Sequence, residues 1–191
     1  QRPLDLGADV VIHSATKGLA GHGDVTAGVV ATQSAEVADT LQKKRNADGS
    51  ALAPFESWLL ARGARTLGVR IERAQASALE LARALQREPG FQAVHYPGLE
   101  SHPGHALHRS QATGAGVLIT LEADTAERAE ALVRSVRLFS TAVSFGGLSS
   151  SISLPHYMSH ASVPEGAAPR PGKSLIRLSI GLESPTDLLT T

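Results

Sequence analysis

The sequence predicts an α/β fold, and three observations support that prediction. Two short runs of β-branched and small residues, at 10–12 and 27–31, are typical of strands that are buried on both faces of a parallel sheet. A long amphipathic pattern at 64–87 predicts a helix that covers such a sheet. Strand-like and helix-like segments then alternate through the rest of the chain, as expected of an α/β protein.

The N-terminal part is predicted to contain these two strands and two helices before the long helix. The helices are predicted at 34–46 and at 54–62, the second with Pro54 in its first turn. The long helix at 64–87 follows. One of its faces is apolar, because apolar residues repeat at alternating steps of four and three: Leu67, Ile71, Ala74, Ala78, Leu81 and Leu85.

The C-terminal part is predicted to be a second set of strands and helices, which begins after Pro89 and Gly90 end the long helix. A helix rich in Ala, Glu and Arg is predicted at 125–134, and irregular structure at 146–172, a stretch long enough to be functional or disordered. A last helix is predicted to begin after Ser184. Strands are predicted at 91–96, 116–121, 139–145 and 175–180.

The composition excludes several classes of protein. The chain has 191 residues, with 18 Lys and Arg against 18 Asp and Glu, so the net charge gives no reason to expect nucleic acid or an anionic membrane as a partner. It contains no cysteine, which excludes disulfides, thiolate metal sites and cysteine nucleophiles. No apolar run approaches the roughly 20 residues that a membrane span needs. We expect a cytoplasmic protein with small or neutral partners.

A glycine-rich segment at 13–25 carries the first candidate site. Lys17 closely follows a predicted strand, and α/β proteins place ligands in loops at strand ends. Ser14 and Thr16 are able to donate hydrogen bonds to a phosphate oxygen, and a desolvated lysine amine is a nucleophile. The residues alone therefore suggest a phosphate-bearing ligand beside a lysine, and a helix cap next to a solvated lysine stays the alternative.

Several histidines raise the question of a metal site. Three of them fall at three-residue steps and would share one helix face: His102, His105 and His108. Pro103 and Gly104 interrupt the helix that would align them. We therefore predict no metal site, and we expect His156 and His160 to have roles in loop structure.

The segment around Lys17 resembles the cofactor-lysine segment of the Cys/Met-metabolism family of pyridoxal-phosphate enzymes. That family includes cystathionine γ-synthase, cystathionine γ-lyase and methionine γ-lyase. Segments 54–67 and 94–103 are similar to further motifs of the family, so that the resemblance covers essentially the whole chain. It implies pyridoxal 5′-phosphate as the cofactor, with Lys17 as the lysine that forms the Schiff base and Ser14 and Thr16 as phosphate ligands.

The resemblance also implies a substrate site. Arg177 lies in a segment similar to the family segment whose arginine binds the substrate α-carboxylate, and a planar guanidinium suits that bidentate contact better than an ammonium does. Ser144 matches a serine that lies beside the same carboxylate. Without the resemblance, Arg177 would be interpreted as a surface residue and Ser144 as a turn residue.

The fold that the resemblance implies is the fold-type I architecture of pyridoxal-phosphate transferases, as in aspartate aminotransferase. Residues 1–67 would be the end of the large, cofactor-binding domain, and residues 68–191 the C-terminal α/β domain, joined by the long helix. The chain opens on Gln1 and stops where a helix would begin, so we expect the C-terminal half of such an enzyme. The missing N-terminal half and a neighbouring subunit of a homotetramer, a dimer of dimers, would supply the other groups.

The implied activity is carbon–sulfur γ-lysis of a sulfur-containing amino acid. Val143 favours methionine γ-lyase, which converts L-methionine to 2-oxobutanoate, ammonia and methanethiol, because cystathionine-using members of the family often carry Glu there. Ser149 departs from the family, in which Glu is usual at that position. Cystathionine γ-lyase, a transferase of the cystathionine γ-synthase type and a non-catalytic assembly fragment are the alternatives.

Overall fold

The computed structural model describes residues 1–159 and 170–190, and its strands form two sheets. An antiparallel pair of strands lies near the N-terminus, and a five-stranded sheet contains the others. The first part of the chain contains a 3-10 helix (Pro3–Leu6), β1 (Val10–Ser14), β2 (Gly28–Thr32), α1 (Ala35–Ala47), α2 (Pro54–Ala64) and α3 (Leu67–Leu85). The second part contains β3 (Phe91–His95), α4 (His105–Gln111), β4 (Leu118–Ala123), α5 (Ala126–Ser135), β5 (Ser140–Thr141), β6 (Ser151–Ser153), β7 (Leu175–Ser179) and α6 (Pro185–Leu189).

The first sheet differs from the one that the sequence predicted. β1 and β2 pair antiparallel, with Val10 opposite Thr32. Residues 15–27 connect the two strands by turns, without the crossover helix that a parallel pair needs. The prediction of a parallel sheet was therefore wrong for this pair of strands.

Helices α1 and α2 begin where local chemistry predicts. Ser34 caps α1, because its Oγ accepts the amide of Val37 at 3.3 Å, and Pro54 occupies the first turn of α2. The predicted long helix is α3, but it begins later than predicted because α2 extends further. The carbonyl of Gly63 accepts both the amide and the hydroxyl of Thr66, at 3.2 and 3.1 Å, and this tight turn ends α2.

The second sheet carries the hydrophobic core. Its strand order is β3-β4-β7-β6-β5, and all neighbouring strands are antiparallel except β5 and β6. Helix α3 contributes Ala78, Leu81 and Ala82 to this core, and Leu85 packs against it. The C-terminal half of the predicted stripe is therefore confirmed as core, whereas Leu67, Ile71 and Ala74 lie outside this cluster. Each large apolar side chain that is fully buried stabilises the fold by roughly 1.5–3 kcal/mol. The strands and their flanking turns contribute, among others, Tyr96, Ile119, Leu121, Ile152, Ile176 and Leu178.

The segment between β5 and β7 departs from the prediction in two ways. The strand predicted at 139–145 is reduced to the two residues of β5, and β6 forms inside the stretch predicted to be irregular. β5 pairs parallel with β6, and β6 pairs with the longer β7. The chain leaves the sheet between β5 and β6, and this loop carries Ser144. None of the helices in the described ranges combines the length and the apolar character that crossing a membrane requires.

Candidate active site

Lys17 lies in a helical turn that follows β1. The amide of Gly21 donates to the carbonyl of Lys17 at 2.9 Å, and the amide of Ala20 donates to the carbonyl of Ala15 at 3.0 Å. Gly21 ends the turn with a φ of 74°, a left-handed conformation that glycine adopts without steric cost. The side chain of Lys17 is half-buried, and its amine contacts residues of the C-terminal part.

The two predicted phosphate ligands flank the Lys17 turn. Ser14 is the last residue of β1 and is exposed. Thr16 Oγ1 accepts the amide of Ala27 at 3.0 Å and lies 3.4 Å from the carbonyl of the same residue. Thr16 therefore ties the turn to the segment before β2. The Thr16 hydroxyl donates to the Ala27 carbonyl in a long, weak hydrogen bond, which a phosphate oxygen would have to replace.

Ser144 and Phe145 bring the C-terminal part of the chain to Lys17. Lys17 Nζ lies 3.3 Å from Ser144 Oγ and 5.2 Å from the centroid of the Phe145 ring. The same ring lies 5.6 Å from the guanidinium carbon of Arg177. Both cations are within the range of cation–π attraction. The Phe145 ring therefore lies beside both Lys17 and Arg177. Sequence analysis predicted these two cations as site residues but did not identify Phe145.

Arg177 lies in the middle of β7, where it is opposite Thr120 of β4 and Ser153 of β6. Its Nη2 donates to the carbonyl of Val143, in the loop that carries Ser144. Within residues 1–159 and 170–190, no carboxylate forms an ion pair with Lys17 or Arg177. Among these described residues, the anion-binding capacity of both cations is not taken up by a carboxylate.

Two polar contacts hold the loop that carries Ser144. Ser179 Oγ accepts the amide of Gly146 at 3.1 Å. Glu183 binds the far end of the loop, because its carboxylate accepts the amide and the hydroxyl of Ser150 at 2.7 and 2.8 Å. Sequence reasoning missed both holding residues, although the family-like segment at the C-terminal end contains them.

Arg70 of α3 is a further residue that sequence reasoning missed. Its side chain is only 7% exposed. It donates to the carbonyls of Gly18 and Leu19, which belong to the Lys17 turn. In the sequence, Arg70 has the pattern of an ordinary polar residue of an amphipathic helix, and only its neighbours in space distinguish it.

The histidines contact backbone atoms of nearby turns and loops. Their ring nitrogens lie 2.8–3.1 Å from backbone atoms: His105 from the Pro97 carbonyl, His108 from the Gly114 carbonyl and His102 from the Gly104 amide. His156 Nδ1 lies 2.8 Å from the carbonyl of Pro171, and His160 lies outside the described residues. No group of three or more His, Asp or Glu side chains in the described ranges is arranged to hold a metal ion.

The donor set of this site fits pyridoxal phosphate. Lys17 offers an amine for an aldehyde, Ser14 an exposed hydroxyl for a phosphate, and Arg177 a guanidinium for a carboxylate. The Lys17 turn and the Ser144 loop approach so closely that a Cβ on Gly146 would lie 2.8 Å from the amide nitrogen of Gly18. This close backbone contact holds the Lys17 turn next to the Ser144 loop.

The fold and the comparisons with known proteins place the chain in one class, the fold-type I enzymes that use pyridoxal phosphate. Residues 1–190 match the family described as "Cys/Met metabolism PLP-dependent enzyme". The chain belongs to this family, as the resemblance of its sequence implied.

Relatives of known activity are similar along the whole chain. The chloroplastic cystathionine β-lyase of Arabidopsis thaliana is 45% identical over 191 residues, which cover 99% of this chain and 41% of the relative. The cystathionine γ-lyase of Bacillus subtilis is 44% identical, with 99% and 50% covered. The structure of a methionine γ-lyase from Micromonospora echinospora matches with a TM-score of 0.90 and 37% identity, over 100% of this chain and 50% of that chain. The chain therefore spans about half the length of these relatives.

Proposed function

We propose that this chain is the C-terminal half of a pyridoxal-phosphate-dependent carbon–sulfur lyase that acts on sulfur-containing amino acids. The observation that carries the proposal is the meeting of Lys17 and Arg177 at one aromatic ring, 5.2 and 5.6 Å from its centroid. An amino-acid substrate needs both groups, because its amine must reach the cofactor at the lysine while an arginine holds its carboxylate. The family membership and the lyases among the relatives support the reaction class.

Lys17 is the proposed catalytic residue and the covalent anchor of the cofactor. Pyridoxal phosphate, when bound, supplies an electron sink for the negative charge that develops at the substrate Cα. The Lys17 amine accepts the proton from Cα and moves protons at Cβ, as a general base and acid. Ser14 and Thr16 are the proposed phosphate ligands, because a hydroxyl donates a hydrogen bond to a phosphate oxygen.

Arg177 and Ser144 are the proposed substrate-binding residues. One nitrogen of Arg177 donates to the carbonyl of Val143, which fixes the guanidinium plane and leaves other donors for a carboxylate. Ser144 Oγ accepts from Lys17 and keeps its own proton to donate. The two residues would hold the carboxylate and present Cα of the substrate to the Lys17 amine.

Methionine is the proposed substrate, because the residue next to Ser144 is apolar. Val143 is 50% exposed, and its own carbonyl accepts from Arg177. Its side chain offers no partner to the distal ammonium and carboxylate of cystathionine, whereas the thioether of methionine needs none. The methionine γ-lyase from Micromonospora echinospora supports this activity within the same fold. With one water, γ-elimination from methionine gives 2-oxobutanoate, ammonia and methanethiol.

Cystathionine is the second candidate substrate, because the relatives from Arabidopsis thaliana and Bacillus subtilis are cystathionine lyases. These relatives are 45% and 44% identical to this chain across nearly its whole length. A transferase that joins a thiol to an activated homoserine would use the same carboxylate-binding arginine and the same lysine. These reactions differ in the group that leaves and in the nucleophile, and therefore in their products.

The complete site is proposed to need an N-terminal half and a neighbouring subunit of a homotetramer. The relatives are about twice as long as this chain, which covers 50% of the Bacillus subtilis enzyme. In this proposal residues 1–67 belong to the cofactor domain and residues 68–191 to the C-terminal domain. The two separate sheets and the position of α3 between them in sequence support this division. A cytoplasmic location remains a prediction.

Borohydride reduction followed by peptide mapping tests the assignment of Lys17. In the complete assembly, we expect a pyridoxyl label on the peptide that contains Lys17. Lys43 provides an internal control, because it is exposed on α1 and paired with Asp39 at 2.6 Å, so its peptide should stay unlabelled. A complete assembly that carries no label on Lys17 would contradict the proposed function.

Product analysis separates the candidate reactions. Release of 2-oxobutanoate and methanethiol from methionine alone identifies the methionine γ-lyase. Release of 2-oxobutanoate and cysteine from cystathionine, with methionine inert, identifies a cystathionine γ-lyase. A product that forms only from activated homoserine and cysteine identifies a transferase.

A further inference from the structure

Arg70 is a buried cation whose partners are backbone carbonyls and one hydroxyl. Its Nη1 donates to the carbonyl of Gly18 at 2.9 Å, and its Nη2 donates to the carbonyls of Gly63 and Leu19 at 2.9 and 3.3 Å. Its Nε donates to Thr66 Oγ1 at 3.0 Å. Burial lowers the pKa of Arg70 from its ordinary value, but a guanidinium stays charged at the pH at which proteins work. The charge is therefore balanced by peptide dipoles.

These carbonyls belong to the ends of two helical segments. Gly63 lies in the last turn of α2, and Gly18 and Leu19 lie in the turn that follows Lys17. Carbonyls at the end of a helical segment carry partial negative charge, and they need donors from outside the segment. The carbonyl of Gly63 accepts from Thr66 and from Arg70. A guanidinium has enough donors in one plane to satisfy several of them at once. Arg70 therefore caps α2 and the Lys17 turn together.

Two glycines leave the space that this arrangement needs. A Cβ on Gly21 would overlap the Arg70 guanidinium, and a Cβ on Gly63 would overlap the carbonyl of Ala20. Gly21 is also the residue with a φ of 74° that ends the Lys17 turn. The Lys17 turn, α2 and α3 consequently leave no free space between them at these glycines. The turn cannot shift without breaking its hydrogen bonds to Arg70.

The opposite side of the Lys17 turn touches the loop that carries Ser144. The backbones of Gly18 and Gly146 are in close contact there, and Lys17 Nζ lies 3.3 Å from Ser144 Oγ. The turn is therefore held between Arg70 on one side and the Ser144 loop on the other. The position of the Lys17 amine depends on both contacts.

We propose that Arg70 is a positioning residue for Lys17, which holds the amine in place through the carbonyls of Gly18 and Leu19. This inference rests on the proposed function. Arg70 bonds to the backbone of the turn and not to the groups assigned to the substrate, so its loss should slow proton transfer at Lys17 while substrate binding by Arg177 is retained. A small displacement of a reacting group is enough to lower a catalytic rate by roughly 100-fold.

The test compares Arg70→Met and Arg70→Lys with wild type in the assembled holoenzyme. Arg73→Met is the matched control, because Arg73 is an exposed arginine of the same helix. We expect kcat of Arg70→Met to fall by roughly 10- to 100-fold while KM changes by less than about threefold. The rate at which Lys17 reattaches to added pyridoxal phosphate, followed by absorbance after the cofactor has been removed, should fall in parallel. Arg70→Lys should recover part of both rates, because lysine keeps the positive charge but lacks the planar set of donors of a guanidinium.

The outcomes separate this inference from the proposed function. If wild type carries the pyridoxyl label on Lys17 and folded Arg70 variants keep the wild-type kcat and reattachment rate, the positioning role of Arg70 is wrong and the proposed function stands. If wild type carries no label on Lys17, both are wrong. If Arg70→Met does not fold, the kcat and the reattachment rate of Arg70→Lys test the positioning role. If Arg70→Lys does not fold either, Arg70 is a structural residue and the inference is overturned.

Discussion

Lys17 Nζ lies 3.3 Å from Ser144 Oγ, although 127 positions of the sequence separate the two residues. The contact joins a turn that follows β1 to a loop that leaves the five-stranded sheet after β5. It places the two groups that sequence resemblance assigns to the cofactor and to the substrate within hydrogen-bonding distance.

Ser144→Ala should reduce catalysis modestly. The substitution removes one hydrogen-bonding partner of Lys17 and one proposed donor to the carboxylate, and a hydrogen bond contributes about 0.5–1.5 kcal/mol. We expect kcat/KM to fall by roughly 2- to 15-fold. Ser110→Ala on α4 is the control, because its hydroxyl donates to the carbonyl of Leu107 in its own helix. Equal kcat/KM values for the two variants would show that Ser144 has no part in the reaction.

Arg177→Lys should weaken substrate binding strongly. An ammonium keeps the charge but cannot contact a carboxylate with two parallel hydrogen bonds while it also reaches the carbonyl of Val143. We expect kcat/KM to fall by roughly 10- to 100-fold, mainly through KM. Arg109→Lys on α4 is the control. An unchanged KM for the amino-acid substrate would exclude Arg177 as the carboxylate-binding residue.

Val143→Glu should shift the substrate preference from methionine towards cystathionine. A carboxylate at this position would attract the distal ammonium of cystathionine, and burying it against a thioether without a partner is unfavourable. Val143→Gln is the matched control, because it has nearly the same size and no charge. The ratio of kcat/KM for cystathionine to kcat/KM for methionine should rise in Val143→Glu only. A similar rise in Val143→Gln would assign the effect to polarity or shape instead of charge.

Gly146→Ala and Gly147→Ala should differ sharply. A Cβ on Gly146 would lie 2.8 Å from the amide nitrogen of Gly18, and the φ of Gly146 is 78°. The neighbouring Gly147 offers ordinary contacts at 3.9 and 4.0 Å to atoms of Ser149. We expect Gly146→Ala to lose about 1–3 kcal/mol of unfolding free energy, together with most of the activity, because it separates the turn from the loop. Urea unfolding measures the free energy of unfolding, and steady-state kinetics measure the activity. A Gly146→Ala variant with wild-type stability and activity would show that the close contact is not required.

Tyr96→Phe should change how stability depends on pH. Burial raises the pKa of Tyr96 to about 12, and its hydroxyl donates to the carbonyl of Gly116 at 2.9 Å. An unfolded chain releases this proton near pH 10, so wild type loses stability between about pH 10 and pH 12 as the unfolded state deprotonates first.

The lost hydrogen bond should make Tyr96→Phe less stable than wild type by about 1 kcal/mol at neutral pH. The difference should shrink and then reverse above about pH 10, because phenylalanine does not titrate. Other alkaline groups act equally on both proteins, so the difference in unfolding free energy isolates Tyr96. A difference that stays constant across this range would show that Tyr96 ionises equally in both states.

The sequence by itself determined the local features of this protein. The hydroxyls and glycines around Lys17 and the apolar stripe of α3 are patterns within a few consecutive residues, where backbone conformation and side-chain chemistry act together. The family resemblance added Ser144 and Arg177 as candidate site residues. The limits of most helices and strands were also predicted to within a few residues, because caps, prolines and glycines mark them.

Only the tertiary structure decided how these features meet. The antiparallel pairing of β1 and β2, the place of Phe145 beside two cations and the burial of Arg70 all depend on partners far away in the sequence. Residue type fixes what a side chain is able to bond to, but not which group lies within reach. The fold determines which groups lie within reach, because burial of the core sets the distances between segments. Each buried polar group then needs a hydrogen-bonding partner among the groups that the fold places next to it.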